Sequence, residues 1–319
     1  MRIFSICCVR DEHDVVIETL TSAAAWSERI FVLDNGSTDG TWERLQELAS
    51  RTQKVVLLPR EFGPFSEELR GNVFEHHKHL AQYGDWWCRL DADEIYIDDP
   101  LEFLARTPRT VGFVRSATFN YYFTDEDLKE YHRDPELWLA RPIQDRLRYY
   151  QNNWSEGRFV RHKPNLRWKG NIWPTNRGLT CQRRIRLKHF QYRSPEQIDR
   201  RLRNRQKRLD IFPHEAGKTL AIPAINSPNW ASAWMKSARF EEASWADRVH
   251  NAGECDFDSR NGFFRLRESL MPPLPSPLFD LARAALQETR VGSAMLSPIV
   301  AWRHRRRGAG GTRDPKGPK

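Results

Sequence analysis

Short apolar runs alternate with helix-patterned stretches through the first hundred residues, and this alternation limits the possible folds more than any other feature of the chain. Ile3–Val9 is a run of strand formers, and residues 14–26 carry an apolar helical stripe through Val15, Val16, Leu20 and Ala23. Arg29–Leu33 reads as a buried strand ending at Asp34, residues 41–49 as a helix, Lys54–Leu58 as a third strand, residues 66–82 as a helix and Trp86–Leu90 as a fourth strand. Strands separated by helices imply right-handed crossovers and a mostly parallel sheet. Ligands bind such sheets beyond the carboxyl ends of the strands. Three polar clusters fall there: Arg10-Asp11-Glu12, Asp34 and Asp91–Glu94.

The third cluster sits in the string RLDADEIYID, residues 89–98. Like charges crowded at a strand end repel unless a cation is shared between them. In an extended segment Asp91 and Asp93 project to one side, because strand side chains alternate. Paired carboxylates make a hard-oxygen site suited to Mn²⁺ or Mg²⁺, with positions left for phosphate oxygens. A diphosphate held there would be a good leaving group. The plainer alternative is a helix cap or a solvated turn.

Three stretches together, CCVRDEHDVV (7–16), IFVLDNGSTDGTWERL (30–45) and WWCRLDADEIY (86–96), resemble glycosyltransferase family 2 and its relatives, in order and in spacing. The resemblance implies a GT-A fold, an α/β nucleotide-binding domain. It further implies a metal-dependent transfer of sugar from a nucleotide-diphosphate donor to a glycan, lipid-linked or other hydroxyl acceptor, of the kind used in cell-surface polysaccharide assembly. By the same resemblance Val9, Arg10 and Asp11 lie against the base and ribose, Asp34 pairs with the base, and Arg70 faces the nucleotide. Asp91 lies near ribose and metal, and Asp93 holds the metal. Arg10-Asp11 departs from the family's usual Asn before Glu, which affects donor details.

LKHFQYRSPEQ (187–197) resembles the H-[FY]-x-x-R-S string found after the core in a branch of these enzymes. A neutral His189 at a strand end could be a third metal ligand. Arg193 and the amino end of a helix begun by Ser194-Pro195-Glu196-Gln197 could address the diphosphate. An inverting transfer needs a carboxylate base; Asp145 is our first choice and Glu156 the second, and the stereochemical course stays open. Trp154, Trp168 and Trp173 with Tyr149 and Tyr150 are either a sugar-stacking floor or core. His76, His77 and His79 read as a solvated helix face, and His162, His214 and His250 stand alone, so neither group resembles a zinc site.

Beyond Pro100 the alternation loosens. Residues 110–115 and 118–123 suggest strands, 130–180 reads as irregular, and residues 157–161 and 185–189 suggest short strands before a basic helix running to about Leu209. Helical stretches follow at Trp230–Asp247 and Leu278–Thr289. We expect a GT-A domain over 1–195, a helical extension over 196–302 and a basic disordered tail over 303–319. The net charge of +9 is concentrated: residues 183–208 hold eleven Arg or Lys against two acids, and residues 301–319 hold seven against one. With Leu296, Ile299, Val300 and Trp302 ahead of it, that tail suits an anionic membrane surface, the plainer alternative being a solubilising tail. Five cysteines without a C-x-x-C pair argue against a disulfide framework or structural zinc and for a reducing compartment. No signal peptide and no apolar run of about 20 residues is present, so a cytoplasmic location, with peripheral contact to the inner membrane face, is expected. Nucleic acid is not an expected partner, since no such module is evident and an acidic rim repels phosphates. Phosphoryl or nucleotidyl transfer is the rival enzyme class. Its phosphatase form carries D-x-D after the first strand, and its sugar-nucleotide form carries a Gly-rich loop where this chain has VRDEHD.

Overall fold

The computed structural model describes residues 1–168, 173–174, 176–181 and 183–211. The stretches expected as helices at 230–247 and 278–289, the amphipathic and basic tail, His214 and His250 lie outside the described residues.

In chain order the elements are β1 (Ile3–Val9), α1 (Val16–Trp26), β2 (Arg29–Asp34), α2 (Thr41–Arg51), β3 (Val55–Leu57), α3 (Glu68–His77), β4 (Trp86–Asp91) and β5 (Glu94–Tyr96). Then come α4 (Pro100–Ala105), β6 (Val111–Tyr121), α5 (Asp125–Arg133), α6 (Pro135–Ala140) and α7 (Ile143–Arg146). The last are β7 (Tyr150–Trp154), β8 (Gly157–Arg161), β9 (Leu179–Thr180), β10 (Ile185–His189) and α8 (Pro195–Ile211). The strand order is β3-β2-β1-β4-β8-β6-β10-β5, with β7 and β9 on β6. β3, β2, β1 and β4 run parallel, while β8 pairs antiparallel with both β4 and β6. β1 is buried nearly throughout, as a strand covered on both faces must be, so its sequence is a continuous apolar run.

Three expectations change. The two strands expected at 110–115 and 118–123 are one, β6, which pairs with β8 through its first half and with β10 and β7 through its second. The helix expected over 66–82 ends at His77 and passes into a single 3₁₀ turn. The region expected to be irregular holds the end of α5 and all of α6 and α7, with α5 and α6 opened by side-chain caps from Thr124 and Asp134.

Trp86 and Trp87 are fully buried on opposite faces of β4. Trp86 joins a core with Val16, Leu20 and Leu45 of α1 and α2, and Trp87 joins Phe4, Phe31, Phe74 and Trp168 on the α3 side. A third core, Phe119, Tyr121, Tyr150 and Phe190, also takes in Ile198 and Leu202 of α8. The helix placed at the start of an extension is therefore packed on the sheet, with its Ser194 Oγ accepting from the Gln197 amide as expected.

Two contacts fix the site's frame. Gly71 brings α3 against the 168 region so closely that a Cβ there would stand 2.6 Å from the Trp168 carbonyl oxygen. Arg193, with no exposed side-chain surface, joins the end of β10 to the start of α1. Its Nε and Nη2 each donate at 2.8 Å to Asp14, Nη2 also to Glu12, and Nη1 at 2.7 Å to the Phe190 carbonyl. Burial pushes the Asp14 carboxyl up, but Arg193 outweighs it and holds it at about 2.

Gly71→Ala should lower stability by about 1–3 kcal/mol, read as a lower urea midpoint; an unchanged midpoint would mean the Trp168 backbone yields freely. For Asp14 the folded value lies below the ordinary 3.8, so its contribution is present above about pH 4 and disappears as pH falls toward 2. A shift of that size corresponds to about 2 kcal/mol. Asp14→Asn should accordingly cost about 2 kcal/mol or more at pH 7 and little at pH 2, and parallel pH curves for the two proteins would contradict this.

Candidate active site at the carboxyl rim of the sheet

β1, β2 and β4 deliver their last residues to one rim. At the end of β1, Asp11 adopts the left-handed conformation (φ 55°), the sole non-glycine to do so among the described residues. It is held there by its own amide donating to Ser37 Oγ at 2.9 Å and by the Thr38 amide donating to its Oδ1 at 2.8 Å. Neighbouring Arg10 is exposed. At the end of β2, Asp34 Oδ1 accepts from the Gly36 and Ser37 amides and from Arg60 Nε at 2.9 Å. Asp34 Oδ2 is buried with no hydrogen-bond partner, an acceptor awaiting a donor. The turn needs glycine at Gly36 and Gly40, both at positive φ. Asn35 Nδ2 donates to the carbonyls of Glu61 and Gly63, tying down the loop after β3. Arg60 lies about 5 Å from the rings of both Trp42 and Phe62. Nothing in the sequence pairs Arg60 with Asp34, 26 residues away.

The D-x-D pair does not lie in an extended segment. β4 ends at Asp91, a turn occupies Ala92–Asp93, and β5 pairs with β10 because β8 already occupies the edge of β4. The two carboxylates consequently part. Asp91 meets Arg70 Nη2 at 2.5 Å, Arg158 Nη1 at 3.3 Å and Arg89 Nε at 3.8 Å, and these guanidiniums hold it well below the carboxylate range despite burial. Arg70, expected at the nucleotide, is buried beneath Asp91 and bridges it to Glu67.

Asp93 turns to the other side. Its Oδ2 lies 3.4 Å from His189 Nε2 and 3.3 Å from Arg201 Nη1. Burial opposes ionisation of both partners, yet each shift follows the partner's charge: the carboxyl is depressed and the imidazole raised. His189 Nδ1 sits 2.9 Å from Asn120 Oδ1, which orients Nε2 toward Asp93. Ligand atoms cis to one another on an octahedral Mg²⁺-sized ion stand about 3 Å apart. The separation of Asp93 and His189 is close to one edge of such an ion, while Asp91 is engaged by arginines. Among the described residues no three His, Cys, Asp or Glu side chains form a ready cage. Mg²⁺-type sites commonly take only one or two protein ligands and complete themselves with phosphate and water.

Other expected residues fall elsewhere. Asp145 is exposed on α7, with Glu18 as a neighbouring acid, and no described hydrogen bond or ion pair links it to the D-x-D pair. Glu156 does reach the rim, 3.2 Å from Arg158 and 3.8 Å from Arg89. Arg193, expected at the diphosphate, is wholly buried and fully engaged by Asp14, Glu12 and Phe190. Trp168 and Tyr150 are core, with Trp168 stacked on Trp173 at 5.4 Å; the Trp154 side chain lies outside the described residues. His162 is buried and accepts from Trp87 Nε1, and His77 stacks on Phe31 at 4.1 Å. Sequence reading missed Arg60, Arg89, Arg158, Arg201 and Asn204 as members of the rim. A usable signal existed for α8: Gln197, Arg201 and Asn204 recur at helical spacing and make one polar stripe.

Residues 6–165 match the family described as Glycosyl transferase family 2. No curated protein matches the chain. Among solved structures it is similar to the mannosyltransferase PcManGT from Pyrobaculum calidifontis in complex with GDP-Man and Mn²⁺, at 14% identity over 94% of this chain and 80% of that one, TM-score 0.39. It is also similar to glucosyl-3-phosphoglycerate synthase from Mycobacterium tuberculosis, at 18% identity over 50% of this chain and 56% of that one, TM-score 0.28. S. aureus TarS is a third likeness, at 15% identity over 97% and 88%, TM-score 0.34. The family match takes in half of the chain, from β1 through β8, and includes both the DNGSTDGT turn and the LDADE strand end: the protein belongs to glycosyl transferase family 2 and is a glycosyltransferase.

Proposed function

We propose that the rim binds a nucleotide-diphosphate sugar with a divalent ion, Mn²⁺ or Mg²⁺, at Asp93 and His189, and transfers the sugar to a hydroxyl of a glycan or lipid-linked acceptor. The observation that carries this reading is the convergence of Asp93 Oδ2 and His189 Nε2 to 3.4 Å on the strand-end rim. A bound divalent ion would supply neutralisation of the charge that develops on the departing diphosphate. Asp34 offers its unpartnered Oδ2 to an N–H of the base, once the base displaces what covers it. Val9, Arg10 and Asp11 line the same end of the site, beside the ribose. Asp91, pinned by three guanidiniums, holds the end of β4 beside the donor.

In the transfer the acceptor hydroxyl loses its proton to a carboxylate, and its oxygen bonds to the anomeric carbon. The bond from that carbon to the diphosphate oxygen breaks as this happens. Glu156 is better placed than Asp145 to take that proton, because it shares the Arg158 and Arg89 guanidiniums with Asp91 at the rim. Among the described residues no helix is long and apolar enough to cross a membrane. The basic tail expected to meet an anionic surface lies outside them.

Thermal melts with UDP, GDP, CDP and TDP, each with and without Mn²⁺, test the reading. One nucleotide should stabilise the protein only when Mn²⁺ is present, by about 2.7 kcal/mol at 100-fold excess over its dissociation constant. Asp93→Asn should abolish that gain. If no nucleotide moves the wild-type melt, the donor site is assigned wrongly.

A further inference from the structure

α8 lays a polar stripe across the rim, and one of its side chains differs from its neighbours. Arg193, just before the helix, uses every guanidinium nitrogen and has no exposed surface. Asn204 donates to Asp11 Oδ2 at 2.6 Å, and Arg200 approaches Asp39 at 3.5 Å. Ile198 and Leu202 are buried in the core on the helix's other side. The helix is thereby anchored at both ends of the stripe. Arg201, between those anchors, touches the rim through a single nitrogen: Nη1 is 3.0 Å from Glu12 Oε1 and 3.3 Å from Asp93 Oδ2. Its side chain keeps 27% of its surface exposed, room enough to change rotamer while the helix stays in place.

We infer that Arg201 is a donor-binding residue that holds the cation position between Glu12 and Asp93 and turns its fork to the diphosphate when a divalent ion enters. The inference rests on the donor reading above. A guanidinium beside Asp93 and a divalent ion on the same carboxylate oxygen repel each other at short range, so the two cannot keep these positions together. Glu12 does not lose its partner when Arg201 leaves, because Arg193 still donates to it. The freed fork then faces the group it matches best, a phosphate with two oxygens in its plane. The charges also agree. The sugar-linked diphosphate carries two negative charges, which a divalent ion balances, and the departing diphosphate gains a third, which the guanidinium balances. Arg201 should therefore favour the diphosphate as it leaves over the donor as it binds, the preference that lowers a transfer barrier.

Removing Arg201 has opposite effects on two equilibria, and that separates the inference from a purely structural role. The whole chain is titrated with Mn²⁺ alone, followed by the electron paramagnetic resonance signal of the free ion, and then with UDP, GDP, CDP and TDP at saturating Mn²⁺ by calorimetry. Arg201→Gln should bind Mn²⁺ alone more tightly, on the order of threefold to tenfold, because a competing cation is gone. It should bind the cognate diphosphate at least about tenfold more weakly, for loss of a charge-assisted contact. Arg201→Lys should leave Mn²⁺ binding near the wild-type value and recover part of the diphosphate affinity, and it supplies the measurement if the glutamine variant does not fold. Both affinities falling together, or neither changing, overturns the role of Arg201 while leaving the donor site intact. A wild-type protein that binds none of UDP, GDP, CDP and TDP with Mn²⁺ overturns the donor reading and this inference with it.

Discussion

A single buried guanidinium holds the two ends of this domain together. Arg193 reaches across 179 residues to Asp14 and also engages Glu12, and through them it sets the end of β10 against the turn that follows β1. His189 lies four residues before it and Asp93 stands against His189, so the position of the imagined metal edge depends on that fork. A buried guanidinium with two carboxylates and a carbonyl has its desolvation offset, whereas the same group with one partner removed is a stranded charge. The arrangement tolerates little displacement, which suits a frame that has to keep an imidazole and a carboxylate 3.4 Å apart.

Around this frame the rim alternates in charge. Glu67, Arg89, Glu156, Arg158, Asp91 and Arg70 form a closed circuit on the α3 side. Glu12, Arg201, Asp93 and His189 form an open chain of pairs on the α8 side. The D-x-D turn divides them. Asp91 ends a strand whose neighbours are arginine-rich, and Asp93 begins the chain's departure to pair with β10. The two acids, one residue apart, therefore answer to different partners: one meets Arg70, Arg89 and Arg158, and the other meets His189 and Arg201.

The reading of the first hundred residues was close to the structure because its signals are local. Buried parallel strands write themselves as apolar runs, and DNGSTDGT combines glycines at positive φ with capping oxygens. Strand ends on a parallel sheet share one rim by topology alone. Beyond Pro100 those signals fail. β6 runs through both halves of the sheet, and its polar and aromatic residues follow neither period cleanly, so it read as two strands. The choice between candidate bases was not legible for a related cause. Asp145 and Glu156 look alike as isolated acids, and only the β7–β8 hairpin, which returns Glu156 to the end of β4, tells them apart.

What the sequence by itself determined is the class of fold, the family and the rim on which chemistry can occur, because each follows from periodicity and from motifs read in order. Only the tertiary structure decided which charge faces which. Ion pairing depends on distances of 3–4 Å between groups separated by up to 189 residues, and Coulomb energy at that range changes with every ångström. Arg193 and Arg201 are both arginines near the same motif in the sequence. Burial makes one a fixed brace, and the other, on the next turns of helix, stays partly exposed.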